Sequence, residues 1–326
     1  MVGRALSLAV VALLAGGCAT GASEPASPAS LAPAPEPSAR AGPVRPVEDV
    51  AVATLTLPGD PDWLAADNHG LWVFRQSGEL TLVDPARSAV AGTVATGETE
   101  LCSGLGASFG SVWTCQGSDV LRVDPEAMAV VGRYQVKKQA AQGHLVGAFG
   151  HVWVLTSDGS SLVGIDPETN EVDVQHDLPA RGSDVAASED ALWLPCRIDD
   201  RVLKIDPASG EVLLDVEVAN PVSVATGEGE VWVATASDTR RLDPTSGQIL
   251  RTADAPAGSE GGIVVGEDRV WVRNAEDFLF EVDRATGERV GQVTAEGLTS
   301  SGDLLLLHGD LWVASYDDQV LFRLDP

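Results

Sequence analysis

Nine residues ahead of each of seven evenly spaced tryptophans stands a position whose chemistry changes along the chain: Trp63, Gly104, His144, Asp184, Ser223, Gly262 and Asp303. The residue after it is always aliphatic: Leu64, Leu105, Leu145, Val185, Val224, Ile263 and Leu304. A constant apolar neighbour marks scaffold. Variable side chains held beside it at a fixed geometry are what a site grafted on a repeat looks like. His144 with Asp184 could form an acid–base pair, and Trp63 could stack on a ring. Just after the tryptophan-bearing segments come Arg75, Gln116, Arg197, Arg273, Asn274 and Tyr316, where guanidinium groups would clamp a carboxylate or phosphate. These residues, with Trp63, His144, Asp184 and Asp303, are the candidate ligand-binding set. No residue is assigned a catalytic role. The chain holds no HExxH, no phosphate-binding glycine loop and no Cys/His spacing of a zinc site, so no metal and no cofactor are expected.

The elements that must position these residues follow from the tryptophans. Trp72, Trp113, Trp153, Trp193, Trp232, Trp271 and Trp312 recur at near-equal intervals, and each is followed about a dozen positions later by an aspartate. Six of those aspartates precede proline; Asp283 precedes Arg284. A period of about 40 residues with strand-like units is the signature of a propeller blade. Around Trp232, residues 221–226, 231–235, 239–243 and 248–252 read as four short strands. The turn Asp243-Pro244-Thr245-Ser246-Gly247 combines a side-chain acceptor, a preset φ and a glycine that tolerates positive φ. The tryptophans read as wedges between neighbouring blades. The chain ends on a third strand, whereas residues 50–57 form a fourth strand without an owner. Pairing the two predicts an all-β, seven-bladed propeller closed by its N-terminal strand, with no exposed sheet edge at the seam. In that register the candidate set gathers at one channel mouth. His69, His151 and His308 fall at the other end, and His176 falls in an outer strand.

Ahead of the head, Arg4, the apolar run 5–15 and Leu14-Ala15-Gly16-Gly17-Cys18 have the layout of a secretory signal too short to span a bilayer. The segment before Cys18 resembles a bacterial lipobox, which implies lipidation of Cys18 after removal of residues 1–17. Residues 18–48, rich in Ala, Pro and Ser, read as a tether, and 49–326 as the propeller. The formal charge of −27, with only three lysines (Lys137, Lys138 and Lys204), sets aside nucleic acid and anionic lipid as partners. An exported chain meets oxidising conditions. A disulfide between Cys102 and Cys115 across a hairpin is one reading, and two buried thiols the other. Cys196 is left unpaired.

The recurring Val-Trp-Val, then Asp-Pro, then Thr/Ser-Gly-x-Val pattern, as from Trp193 to Val212, resembles bacterial propellers of the streptogramin (virginiamycin B) lyase and YVTN type. The resemblance implies the seven-bladed fold. That family's catalysis uses histidines, a glutamate and a divalent metal, and of the five histidines here only His144 reaches the mouth, so the catalytic set does not carry over. The leading expectation is a monomeric, membrane-anchored, extracytoplasmic module binding a small molecule, peptide or envelope protein without catalysis. One alternative is a lyase-like or hydrolytic enzyme using His144 with Asp184 or Glu260. Another is an envelope scaffold docking partners at its rim.

Overall fold

In the computed structural model, which describes residues 42–97, 104–136, 143–298 and 301–325, each tryptophan-centred repeat folds as an antiparallel sheet. All these residues belong to the unit formed by 37–326. Blade 1 is Pro61–Asp67, Gly70–Arg75, Glu79–Asp84 and Ala89–Ala95, paired in that order from the channel outward. Blade 5, around Trp232, is Pro221–Gly227, Glu230–Thr235, Thr239–Leu242 and Ile249–Ala253. The sequence boundaries for it hold to within a residue. Seven such sheets account for the described strands, and the fold is an all-β seven-bladed propeller with four-stranded blades.

The wedge role of the tryptophans is visible in the core, which consists of seven clusters rather than one. Each cluster holds one tryptophan together with apolar residues of its own and the next blade. Trp72 lies with Leu105, Val112 and Val123 of blade 2, and Trp232 with Val270, Val272 and Phe280 of blade 6. Six of the seven indoles are at most 1 % exposed and Trp271 is 6 % exposed. Removing so large a buried side chain costs about 3–5 kcal/mol, so the sandwiched indoles are a main source of ring stability. Basic residues add ties between blades. Arg122, Lys204 and Arg323 lie over Trp113, Trp193 and Trp312, and each donates to a proline carbonyl in the next blade's turn: Pro167, Pro244 and Pro85.

The turn aspartates act as expected. Asp243 Oδ1 accepts the backbone N–H groups of Thr245 at 2.9 Å and Ser246 at 2.7 Å, and Asp84, Asp124, Asp166 and Asp206 repeat the pattern. Hydrogen bonds to the charged form favour it. The bonds to Ser246 hold the Asp243 carboxyl below its ordinary value, and those to Arg87, Glu168 and Ser209 do the same for Asp84, Asp166 and Asp206.

Closure follows the predicted route. Ala51–Thr56 pairs antiparallel with Val320–Leu324 as the outer strand of blade 7, and Leu55 and Leu57 enter the cluster around Trp312. The boundary set at residue 49 needs correction, because the sheet takes in chain that composition assigns to the tether. Val44–Pro46 pairs in parallel with Arg289–Thr294, extending blade 6 by a strand, and Arg45 meets Glu281. One helical turn, Val47–Val50, then buries Val47 and Val50 between blades 6 and 7. Cys18, the expected lipidation site, and the rest of segment 1–41 lie outside the described residues. Cys115 is buried and disulfide-bonded, while Cys102 lies outside the described residues. Cys196 is a free, buried thiol whose pKa burial pushes up to about 12, which leaves it unreactive at neutral pH.

Candidate functional site: the channel mouth

The first strand of each blade lines the channel, and its entry carries the variable position identified from sequence. In blades 1 and 5 the ladder slips at that point, between Pro61 and Leu64 and between Pro221 and Ser223. Such a bulge re-aims side chains, and here it turns two consecutive residues of each entry toward the channel. The result is a cavity of about 470 Å³. Trp63, His144, Asp184, Ser223, Gly262 and Asp303 of the variable series line it, as do Asp62, Ser183, Val222, Gly261 and Gly302 one residue earlier. The constant aliphatic residues after them are all buried, at 8 % exposure or less.

Gly104, the remaining member of the series, makes room rather than contact. Gly143–His144 runs in parallel against Gly104-Leu105 of blade 2. A Cβ on Gly104 would stand 2.5 Å from the Gly143 carbonyl oxygen, and one on Gly106 would stand 1.8 Å from that of Leu145. The two glycines let the chain that carries His144 press against the inner strand of blade 2.

His144 is the centre of the floor. Its Nδ1 lies 3.0 Å from Asp184 Oδ1 and its Nε2 3.4 Å from Asp303 Oδ2. Those carboxylates belong to blades 4 and 7 and are each 5 % exposed. Both are anchored beyond the histidine. Asp184 accepts from the Val185 N–H and the Ser223 hydroxyl, and Asp303 from the N–H groups of Leu64 and Leu304. Burial alone would lower the His144 pKa, but the charges of Asp184 and Asp303 outweigh it and hold the group well above its ordinary value. The two carboxylates, one at each ring nitrogen, thus favour the imidazolium form. With a carboxylate at each ring nitrogen it has no lone pair to accept a proton, so the acid–base pairing with Asp184 becomes an ion pair that ties blades across the channel. Trp63 meets the His144 ring edge-on, centroids 5.1 Å apart, and is partly exposed.

Of the second-strand exits, Arg197 and Tyr316 line the cavity, and Gln76 does so beside Arg75. Arg197 Nη1 donates to the Ser259 carbonyl at 2.6 Å. The other exit residues face elsewhere, which corrects the expectation of an arginine-rich mouth. Arg75 donates to the Pro58 carbonyl and pairs with Glu79. Gln116 packs beneath Gly97. Arg273 is fully buried, donating to the carbonyls of Asn274 and Phe278 with its guanidinium 4.5 Å from the Phe278 ring centroid. Burial lowers its pKa to about 10, with Asp318 opposing the shift. Asn274 shapes the following turn by accepting from Glu276 and Asp277. These exits carry core contacts because the second strand is packed between blades along its whole length.

Among the lining residues not singled out from the sequence are Asp62, Ser259 and Ser301. Asp62 directly precedes Trp63, and Ser259 and Ser301 lie shortly before Gly262 and Asp303, so the same alignment extended backward finds all three. The wall they help build is acidic and continuous. Asp62 accepts from Gln76 at 3.2 Å, Ser301 donates to Glu260 at 3.1 Å, and the Tyr316 N–H donates to the Ser301 carbonyl. Burial, then Asp60, Asp62 and Asp317, raise the pKa of the Tyr316 hydroxyl. Among the described residues no three His, Cys, Asp or Glu side chains form a metal-ligand set. His69, His151 and His308 lie at the turns between first and second strands, away from the mouth, as expected.

The chain matches no family model and no curated protein sequence. Its likeness is to solved propellers. BamB from Moraxella catarrhalis superimposes with a TM-score of 0.60 at 13 % identity, over 84 % of this chain and 98 % of that one. The computationally designed Ika8 protein gives 0.64 at 12 % identity, over 84 % and 99 %. The Pan2 WD40 domain of Neurospora crassa gives 0.66 at 9 %, over 81 % and 88 %. At these identities the likeness speaks to the fold, and the site has to be read from its own residues.

Proposed function

We propose that this chain is a lipid-anchored, extracytoplasmic binding module that takes a ligand at the channel mouth and does no chemistry on it. The observation that carries the reading is the cavity itself. Polar side chains from the entries of several blades converge there around one partly exposed indole, which is how a preformed ligand site is built. The doubly paired His144 supports binding over catalysis, since the one histidine at the mouth is committed to holding blades together. On this reading the streptogramin-lyase likeness of the repeats is one of architecture, and the mouth binds without turning over its ligand.

The test is thermal denaturation of the head in a panel of amines, sugars, carboxylates, peptides and metal salts. A ligand present at 100 times its Kd adds about 2.7 kcal/mol of stability. At least one class is expected to raise the Tm of the wild type and not of Trp63→Ala. Stabilisation by no class, or stabilisation that survives Trp63→Ala, would remove the mouth as the site.

The anchor rests on Cys18 and the apolar run before it. Cys18→Ala is expected to move the head from the membrane to the soluble fraction of the envelope. Unchanged membrane retention would mean that the chain is held some other way.

A further inference from the structure

Resting on the mouth as the binding site, the ligand class follows from the distribution of charge and ring surface. Four carboxylates line the cavity, Asp62, Asp184, Asp303 and Glu260, against two cations, His144 and Arg197. Asp184 and Asp303 share the one imidazolium, and the Arg197 guanidinium donates to a backbone carbonyl. The lining thus holds more carboxylates than cations, and Asp62 and Glu260 have amide and hydroxyl donors beside them from Gln76 and Ser301. Asp60 and Asp317, whose charges raise the Tyr316 pKa together with that of Asp62, add to the same negative field. Arg75 and Arg273, the cations that would have balanced it, are turned into the scaffold. A second, independent feature is the indole of Trp63. It is partly exposed in the cavity, and its faces favour cations and flat rings.

We propose that the mouth selects a small organic cation, a protonated amine carried on a ring, with the ring on Trp63 and the ammonium group toward Asp62 and Glu260. An anionic ligand would meet like charge on the blade 6, 7 and 1 side. A neutral ligand would gain hydrogen bonds but leave that field unanswered.

Two probe pairs isolate the charge: tryptamine with N-acetyltryptamine, and tyramine with N-acetyltyramine. Acetylation keeps the ring and removes the cation. Calorimetric titration of the wild-type protein at neutral pH and low salt is expected to show the free amines binding at least about tenfold more tightly than the acetylated forms. Asp62→Asn with Glu260→Gln is expected to abolish that preference while leaving the Tm unchanged, and added salt is expected to reduce it. Equal binding of the acetylated forms, a preference that survives the double variant, or no binding of either amine would overturn the proposal. A sugar or carboxylate that stabilises the wild type but not Trp63→Ala would leave the mouth as a site and still overturn its selectivity for cations.

Discussion

Deleting residues 51–57 is expected to destroy cooperative folding of the propeller. The segment supplies the outer strand of blade 7, and with it Leu55 and Leu57, at 9 % and 3 % exposure. Loss of each buried leucine costs about 2–5 kcal/mol. Those two losses alone approach the roughly 5–15 kcal/mol that stabilises a typical domain. The hydrogen bonds to Val320–Leu324 go with them, leaving an open edge that pairs with other chains. The expected readout is a broad, low-temperature melt with aggregates in size-exclusion chromatography. The double substitution Leu55→Ala, Leu57→Ala keeps the backbone pairing and should give a monomer with a lower Tm. A deletion variant that stays monomeric with the wild-type Tm would show that the ring closes without this strand.

The second large effect concerns His144. Replacing it by alanine leaves Asp184 and Asp303 buried without their cation. Breaking a buried ion pair by removing one partner costs about 3–5 kcal/mol, and the 33 % exposure of the imidazole places the expected loss near the lower end, about 3 kcal/mol. The pH dependence gives a sharper signature. Because the folded-state pKa of His144 is raised above its unfolded value of about 6.5, its contribution is complete below that value and is lost as pH rises through the folded-state pKa. The stability gap between the wild type and His144→Ala should therefore be widest below pH 6 and narrow on the alkaline side. A gap that is constant with pH would mean the ring contributes packing alone. The turn aspartates behave in the opposite sense. Their lowered pKa values add stability that is present above the unfolded carboxylate range and lost as pH falls below it.

The fold was legible because its determinants repeat. The evenly recurring tryptophan and the aspartate at each third-strand end locate every blade, and the ownerless strand at residues 50–57 reveals the closure. The mouth was legible where it shares that register: Trp63, His144, Asp184 and Asp303 line the cavity from one aligned position. What sequence reading missed lay off the register. Arg75 and Arg273 occupy positions that look like loop tips, yet their guanidinium groups turn inward to carbonyls, and no local pattern marks that choice. Asp62 directly precedes Trp63 and reaches the cavity where the ladder slips between Pro61 and Leu64, so an alignment read at one position per repeat passes over it. Val44–Pro46 sits in Pro-rich chain and joins blade 6 only through a distant, parallel partner.

The strand that completes blade 7 also imposes an order in time. Blades 1 to 6 draw their four core strands from consecutive sequence and can form hairpin by hairpin. Ala51–Thr56 emerges ahead of all of them, yet its partner Val320–Leu324 comes after all of them. Joining the two closes a loop that contains nearly the entire head, the slowest kind of contact to make. Until then an early strand waits without a partner and an otherwise finished arc stays open, in the state most prone to pairing with a neighbour. Six local events are followed by one global latch, and the molecule becomes a ring only when Val320–Leu324 meets Ala51–Thr56.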